Sequence, residues 1–294
     1  MNTRHTFGIL LTCGLTTAAM AQYLPKKDQL SISTGFSHTT FDEFYSGPGG
    51  DTEGPTPGEE EIERNVFRTY LYYGIQDNIA VDFSFAVADV QAFEGVPDSV
   101  GNQTEFADFT LGLNWQPFTE ASHGYDLLTR VGVNIEGTYE TGALSAPGDG
   151  ANGIDLGVKF GRTITESGIR GDVGVNYYIR GEGVPDAISI KAGPSIPLPY
   201  NFNLDAGLIY FTSTQDGQDI GGPDFGTVRL DNPSPLRDLP LVEEEGIVGE
   251  LGLSYASGRY YWRASVSQLF DGRNVGKELT FGISLSMSFD NLLQ

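Results

Sequence analysis

The chain has 294 residues and a formal net charge of −22, from 39 acidic and 17 basic side chains. That balance excludes a nucleic-acid partner, because phosphate binding needs a basic surface. The length is too great for one ordinary β-sandwich and suits one large closed barrel, and no apolar run approaches the roughly 20 residues a membrane helix needs.

The N-terminus reads as a targeting segment. Arg4 and His5 precede the short apolar stretch Phe7–Ala18, and Ala19-Met20-Ala21 is a small-x-small cleavage site. Residues 1–21 are therefore expected to be a secretory signal, with Gln22 as the mature start and residues 22–294 as a single domain. The single cysteine, Cys13, leaves with the signal, so disulfides, thiol catalysis and cysteine metal sites are excluded from the mature chain.

Beyond it, apolar and polar residues alternate with period two through twelve runs. They are Leu30–Thr40, Phe67–Tyr73, Ile79–Asp89, Phe106–Gln116, Leu127–Glu136 and Ile154–Ile164. Then follow Ile169–Arg180, Ile188–Ile196, Phe202–Thr212, Ile247–Tyr255, Tyr260–Phe270 and Glu278–Phe289. Each is about the length a tilted strand needs to cross hydrocarbon. Short turns such as Gly74–Asn78 and Thr165–Gly168 alternate with longer loops at Asp42–Glu63, Ala92–Glu105, Gly142–Asn152, Gly181–Asp186, Ser213–Gly246 and Asp271–Lys277. A soluble sandwich has no reason to put its long loops on one side. An outer-membrane barrel does, and the pattern predicts an all-β, twelve-stranded antiparallel transmembrane barrel with long acidic extracellular loops and short periplasmic turns.

The loops at Asp42–Glu63 and Asp216–Glu245 each hold eight acids. Solvation is the plain reading, and divalent-ion bridging to lipopolysaccharide of the outer leaflet is the sharper one. Parity places two sets of aromatics at the membrane interfaces. Tyr73, Trp115, Phe160, Phe202, Tyr255, Trp262 and Phe289 fall near the periplasmic side, and Phe41, Phe67, Phe109, Tyr177 and Tyr210 near the outer side.

The same parity turns charged residues inward: Arg68, Asp82, Arg130, Glu136, Asp155, Lys159, Arg170, Asp172, Lys191, Asp205, Glu250 and Arg263. On the lipid face each would cost a few kcal/mol near the midplane. Inside, they either pair to hold the barrel or form a constriction that selects solutes. Neutralising Arg68 and Arg130 is expected to alter ion selectivity more than stability. Tyr70, Tyr72, Tyr178 and Tyr261 share that inward parity and offer an amphipathic track.

No catalytic or cofactor site is expected. His38 falls on the outward face, His123 lies in a turn, and neither shows a serine-and-acid constellation. Asp149 sits in a glycine-rich turn without the ligand series of a calcium loop.

The segment 148–210 resembles the outer-membrane proteins of the "meta-pathway of phenol degradation" family. The resemblance lies in Gly-Asp-Gly-Ala-Asn-Gly-Ile-Asp-Leu-Gly-Val (148–158), Gly-Asp-Val-Gly-Val-Asn-Tyr-Tyr (171–178), Gly-Glu-Gly-Val-Pro-Asp (181–186) and Pro-Leu-Pro-Tyr-Asn-Phe-Asn-Leu (197–204). It implies an outer-membrane transporter, with aromatic or other hydrophobic compounds among the solutes, and it supplies no binding residues. Outer-membrane barrels commonly end on an aromatic residue read by the barrel-insertion machinery, whereas here Phe289 is followed by Asp290-Asn291-Leu292-Leu293-Gln294. The expectation is a passive channel for small solutes, partnered by outer-membrane lipid and the insertion machinery. A non-conducting structural or adhesive barrel is the alternative.

Overall fold

The computed structural model describes residues 24–46, 52–55, 61–91, 102–138, 151–181, 184–214, 244–273 and 275–290. Residues 1–21, expected to be a signal, together with Asp149 and most of the 213–246 loop, lie outside them. In chain order the strands are β1 (Leu30–Phe41), β2 (Glu43–Ser46), β3 (Thr52–Pro55), β4 (Ile62–Gln76), β5 (Ile79–Gln91), β6 (Asn102–Phe106), β7 (Phe109–Phe118) and β8 (Asp126–Ile135). They continue as β9 (Gly153–Thr163), β10 (Arg170–Arg180), β11 (Ala187–Leu198), β12 (Phe202–Ser213), β13 (Glu245–Ser257), β14 (Tyr260–Arg273), β15 (Val275–Gly276) and β16 (Leu279–Phe289).

Strand parity decides which way the sheet faces. On β9, Ile154, Val158 and Phe160 are 43%, 51% and 43% exposed, whereas Lys159 between them is 7% exposed. The apolar face is the outer one, which in water would be untenable and in lipid is required. The main sheet has thirteen segments, ordered β4-β1-β16-β14-β13-β12-β11-β10-β9-β8-β7-β5-β6. Both β6 and β7 pair with β5, at its two halves, so they share one place in the wall and the barrel has twelve strand positions. Antiparallel pairing of β4 with β5 closes the ring. Closure leaves no edge strand with bare amides in the bilayer.

Each end of the barrel carries a packed cluster that periodicity does not reveal. At the long-loop end, β15, β2 and β3 form a second small sheet. Residues read from the sequence as loop therefore pair here: Val275 meets Tyr45, and Glu43 meets Pro55. Phe41 belongs to this end and corrects the girdle assignment. It is 3% exposed, because it shares the inward parity of Thr39, pairs with Ile62 and packs where a Cβ on Gly276 would stand. At the short-turn end, Leu24 is buried against Ala80 and Leu128, with Tyr72 alongside. The segment after it is tied down by the Asp28 amide donating to the Gly74 carbonyl at 2.8 Å and the Gly74 amide donating to the Gln29 carbonyl at 3.0 Å. Only glycine fits at position 74, since a Cβ there would collide with the carbonyl oxygens of Lys26 and Pro25.

Candidate functional site: the barrel interior

The inward face is built from strand rows in which acids, cations and glycines alternate. Asp82 of β5 is in register with Gly112 of β7, Gly112 with Gly132 of β8, and Gly132 with Asp155 of β9. Arg130 lies flat over the two glycines. Its Nη2 and Nε donate to the two Asp82 oxygens at 2.9 and 3.1 Å, and its Nη1 donates to Asp155 at 3.2 Å. A Cβ on Gly112 or Gly132 would stand 2.7 or 2.6 Å from the guanidinium. Asn114 donates a further hydrogen bond to Asp82, and the Tyr72 hydroxyl donates to Asn114 at 3.3 Å.

The same device recurs around the wall. Arg263 of β14 lies over Gly252 of β13, whose Cβ would stand 2.6 Å from it. It donates to Asp205 at 2.7 Å and to Glu250, and Lys191 of β11 donates to that same Glu250 at 3.1 Å. Arg170 of β10 reaches over β9 to Asp126 at 2.7 Å and Glu120 at 2.9 Å, and turns its Nε to Asp172 at 3.2 Å. Lys159 lies 3.7 Å from Asp172. Apart from Arg170–Asp172, which lies within β10, and Arg170–Glu120, whose acid sits in the turn before β8, these pairs join strands that are adjacent or next but one, at most about 10 Å apart. The charges therefore run along the wall rather than across the lumen.

The other sequence-predicted residues make further contacts along the wall. Arg68 donates to the Tyr70 hydroxyl at 3.3 Å and sits 6.0 Å from its ring. Tyr178 is buried beneath the Arg180 guanidinium, 6.0 Å from its ring. Tyr261 is buried near the short-turn end of β14. Glu136 lies just beyond β8, where its amide donates to the Asn152 side chain at 3.2 Å. The arc formed by β16 and β1 carries small hydroxyls instead, joined by the Ser286–Ser33 and Thr39–Thr280 hydrogen bonds at 2.8 Å each.

Several structural partners escaped the sequence reading. Asp126 extends the even-numbered inward row of β8 by one step. Arg64 and Glu278 pair at 3.0 Å, with side chains only 10% and 2% exposed. Strand parity, carried one residue before Leu127 and three before Phe67, points to Asp126 and Arg64, and Glu278 heads the polar row of its own strand. Glu120 lies in a one-turn helix, Glu120–His123, in the turn between β7 and β8. Burial pushes its carboxyl up. The Thr163 amide and hydroxyl, with Arg170, outweigh that and hold it below the ordinary glutamate value. That helix also places Ser122 2.7 Å from His123, a neighbour relation the sequence reading overlooked. Both are exposed, and the Ser122 hydroxyl also donates to the Thr119 carbonyl, which makes it a turn-closing group. On the outward face of β1, His38 contacts its register partner Asn65 of β4 at 2.9 Å. Among the described residues no cluster of three metal-ligating side chains occurs.

No family model matches the chain, and no curated protein matches it. Among solved structures it is similar to an outer-membrane channel from Pseudomonas putida F1, with a TM-score of 0.70 at 13% identity, over 92% of this chain and 99% of that one. It is also similar to the KdgM porin, with a TM-score of 0.49 at 8% identity over 87% of this chain and 99% of that one. A third is the CymD monoaromatic hydrocarbon channel, with a TM-score of 0.47 at 11% identity over 90% of this chain and 89% of that one. The likeness to the Pseudomonas protein is one of fold. With the apolar exterior, it defines the class: a twelve-stranded β-barrel of the outer membrane.

Proposed function

We propose that the protein is a channel for passive passage of small solutes across the outer membrane. The observation that carries this reading is the placement of its interior charges. A barrel held shut by ion pairs would span its lumen with them. Here Arg130, Arg170, Lys191 and Arg263 are laid along the wall, three of them over or beside a glycine, and bond to acids one or two strands away. Mutual neutralisation leaves an electrically mixed wall facing an arc of serine and threonine hydroxyls. In this reading Arg68, Tyr70, Tyr178, Tyr261 and the paired charges line the path.

Aromatic or other hydrophobic compounds are the solutes that the resemblance to the phenol-degradation family favours. The mature chain is taken to start at Gln22 and to be placed by the barrel-insertion machinery, with its acidic loops meeting lipopolysaccharide. The packed clusters at the two ends favour a second reading, a non-conducting structural barrel. Swelling of liposomes carrying the refolded protein separates the two. Entry of a small neutral sugar or phenol faster than into protein-free liposomes is expected of a channel. Swelling at the protein-free rate beside a folded, inserted barrel favours the structural reading.

A further inference from the structure

The interior of an outer-membrane barrel is ordinarily polar, yet just inside the long-loop end this wall turns apolar. Phe211 of β12, Val248 of β13 and Leu269 of β14 point inward and are buried, with Ile209 packed against them. Glycine lets them close over the wall: a Cβ on Gly246 would stand 2.6 Å from the Phe211 ring and 3.1 Å from Leu269.

The seat so formed is filled by a side chain that does not belong to the wall. Tyr45 comes from β2 of the small outer sheet and is buried in this cluster beside Val275. Its hydroxyl donates to the Phe270 carbonyl at 2.7 Å. The β13–β14 register slips at this point, Ile247 pairing with Asp271 and Val248 with Leu269, so Phe270 is skipped in the register. The seat thus combines an apolar wall for one ring with one carbonyl acceptor at its end. The ammonium of Lys277 lies 5.2 Å from the ring centre, a distance at which a cation is drawn to an aromatic face.

We propose that this seat is a binding site for a small phenolic solute, a single aromatic ring bearing one hydroxyl donor, and that Tyr45 is its resident occupant, displaced when solute enters. The inference rests on the channel reading for its direction and deepens it by naming a site and a ligand chemistry. The solute's ring would replace the Tyr45 ring against Phe211, Val248 and Leu269, and its hydroxyl would take over the bond to the Phe270 carbonyl.

The test uses p-cresol, the tyrosine side chain as a free molecule, and the full barrel in detergent, with binding followed by ligand-observed NMR. A site occupied by its own side chain binds a competitor more weakly in proportion to the time it is free. Tyr45→Ala is therefore expected to bind p-cresol about tenfold more tightly than the unaltered protein if the seat is free about one tenth of the time. Toluene, which lacks the donor, is expected to bind Tyr45→Ala more weakly than p-cresol does. Adding Val248→Trp fills the seat and is expected to abolish the gain. Tyr45→Phe keeps the ring packed while losing the tether, gives an intermediate gain, and stands in if Tyr45→Ala does not fold. Equal p-cresol affinity in the folded unaltered protein and the folded tyrosine variants, or a gain that survives Val248→Trp, overturns the proposal. Binding is read without any current. A barrel that binds but never conducts sinks the channel reading alone, and one that conducts but never binds sinks the seat alone.

Discussion

The Arg130 guanidinium lies over Gly112 and meets both oxygens of Asp82, at 2.9 and 3.1 Å, from two strands away. Gly112 is therefore not a flexible joint but a place where a side chain would stand inside an ion pair. Gly112→Ala is expected to destabilise the barrel by about 1–3 kcal/mol through overpacking. The cost should shrink in an Arg130→Ala background, where the guanidinium is gone, because residues in contact do not add. Urea unfolding in detergent, followed by the shift of heated and unheated bands on a gel, measures both. A full penalty for Gly112→Ala in both backgrounds would contradict the packing account.

Arg130→Ala alone removes the shared partner of Asp82 and Asp155. It is expected to cost about 3 kcal/mol, as for breaking a buried pair. This replaces the expectation, drawn from parity alone, that neutralising Arg68 and Arg130 would change selectivity more than stability. The same unfolding assay reads it, and unchanged stability of Arg130→Ala would contradict the pairing account.

At the long-loop end, Arg64→Ala strands Glu278, whose side chain is 2% exposed. A loss of about 3–5 kcal/mol is expected, with much of it restored when Glu278→Leu is added and Arg64 is made Met, because replacing both partners leaves no buried charge unpaired. Unfolding midpoints of the single and double variants decide it.

Glu120 gives a pH dependence with a definite sign. Its folded carboxyl is held below the ordinary glutamate value. The stability it supplies is thus present above the unfolded value and is lost as pH falls through the folded one. Glu120→Gln should lower the melting temperature at pH 7 and leave it unchanged at a pH below both values. An equal loss at both pH values would show that the carboxylate charge is not what Thr163 and Arg170 hold.

Leu24 anchors the N-terminal segment in the short-turn end. Leu24→Ala should release residues 24–29 to faster amide exchange while the wall strands keep their protection, since the ring closes through β4–β5 without them. Loss of protection throughout the wall would make Leu24 part of the barrel's core.

Much of the architecture is readable from period two alone. Inside-outside parity is rigid along a strand, so Ile154, Val158 and Phe160 declare the lipid face and Asp155 and Lys159 the opposite one. The partners of these charges are not readable, because pairing depends on register between strands distant in sequence. Nothing in the local sequence brings Asp82 to Gly112 and Arg130, or Asp205 to Gly252 and Arg263. The outer sheet escaped for a related reason: β2, β3 and β15 are two to four residues each, too short to show a period. Phe41 follows its parity with buried Thr39 rather than the interfacial preference of an aromatic ring.

The most direct test of passive conduction is single-channel current from the refolded mature protein in a planar bilayer, with and without added aromatic acids. Stepwise current from inserted barrels is the predicted result, with block by an aromatic acid marking a solute path. Electrically silent barrels that are folded and inserted would contradict the channel account.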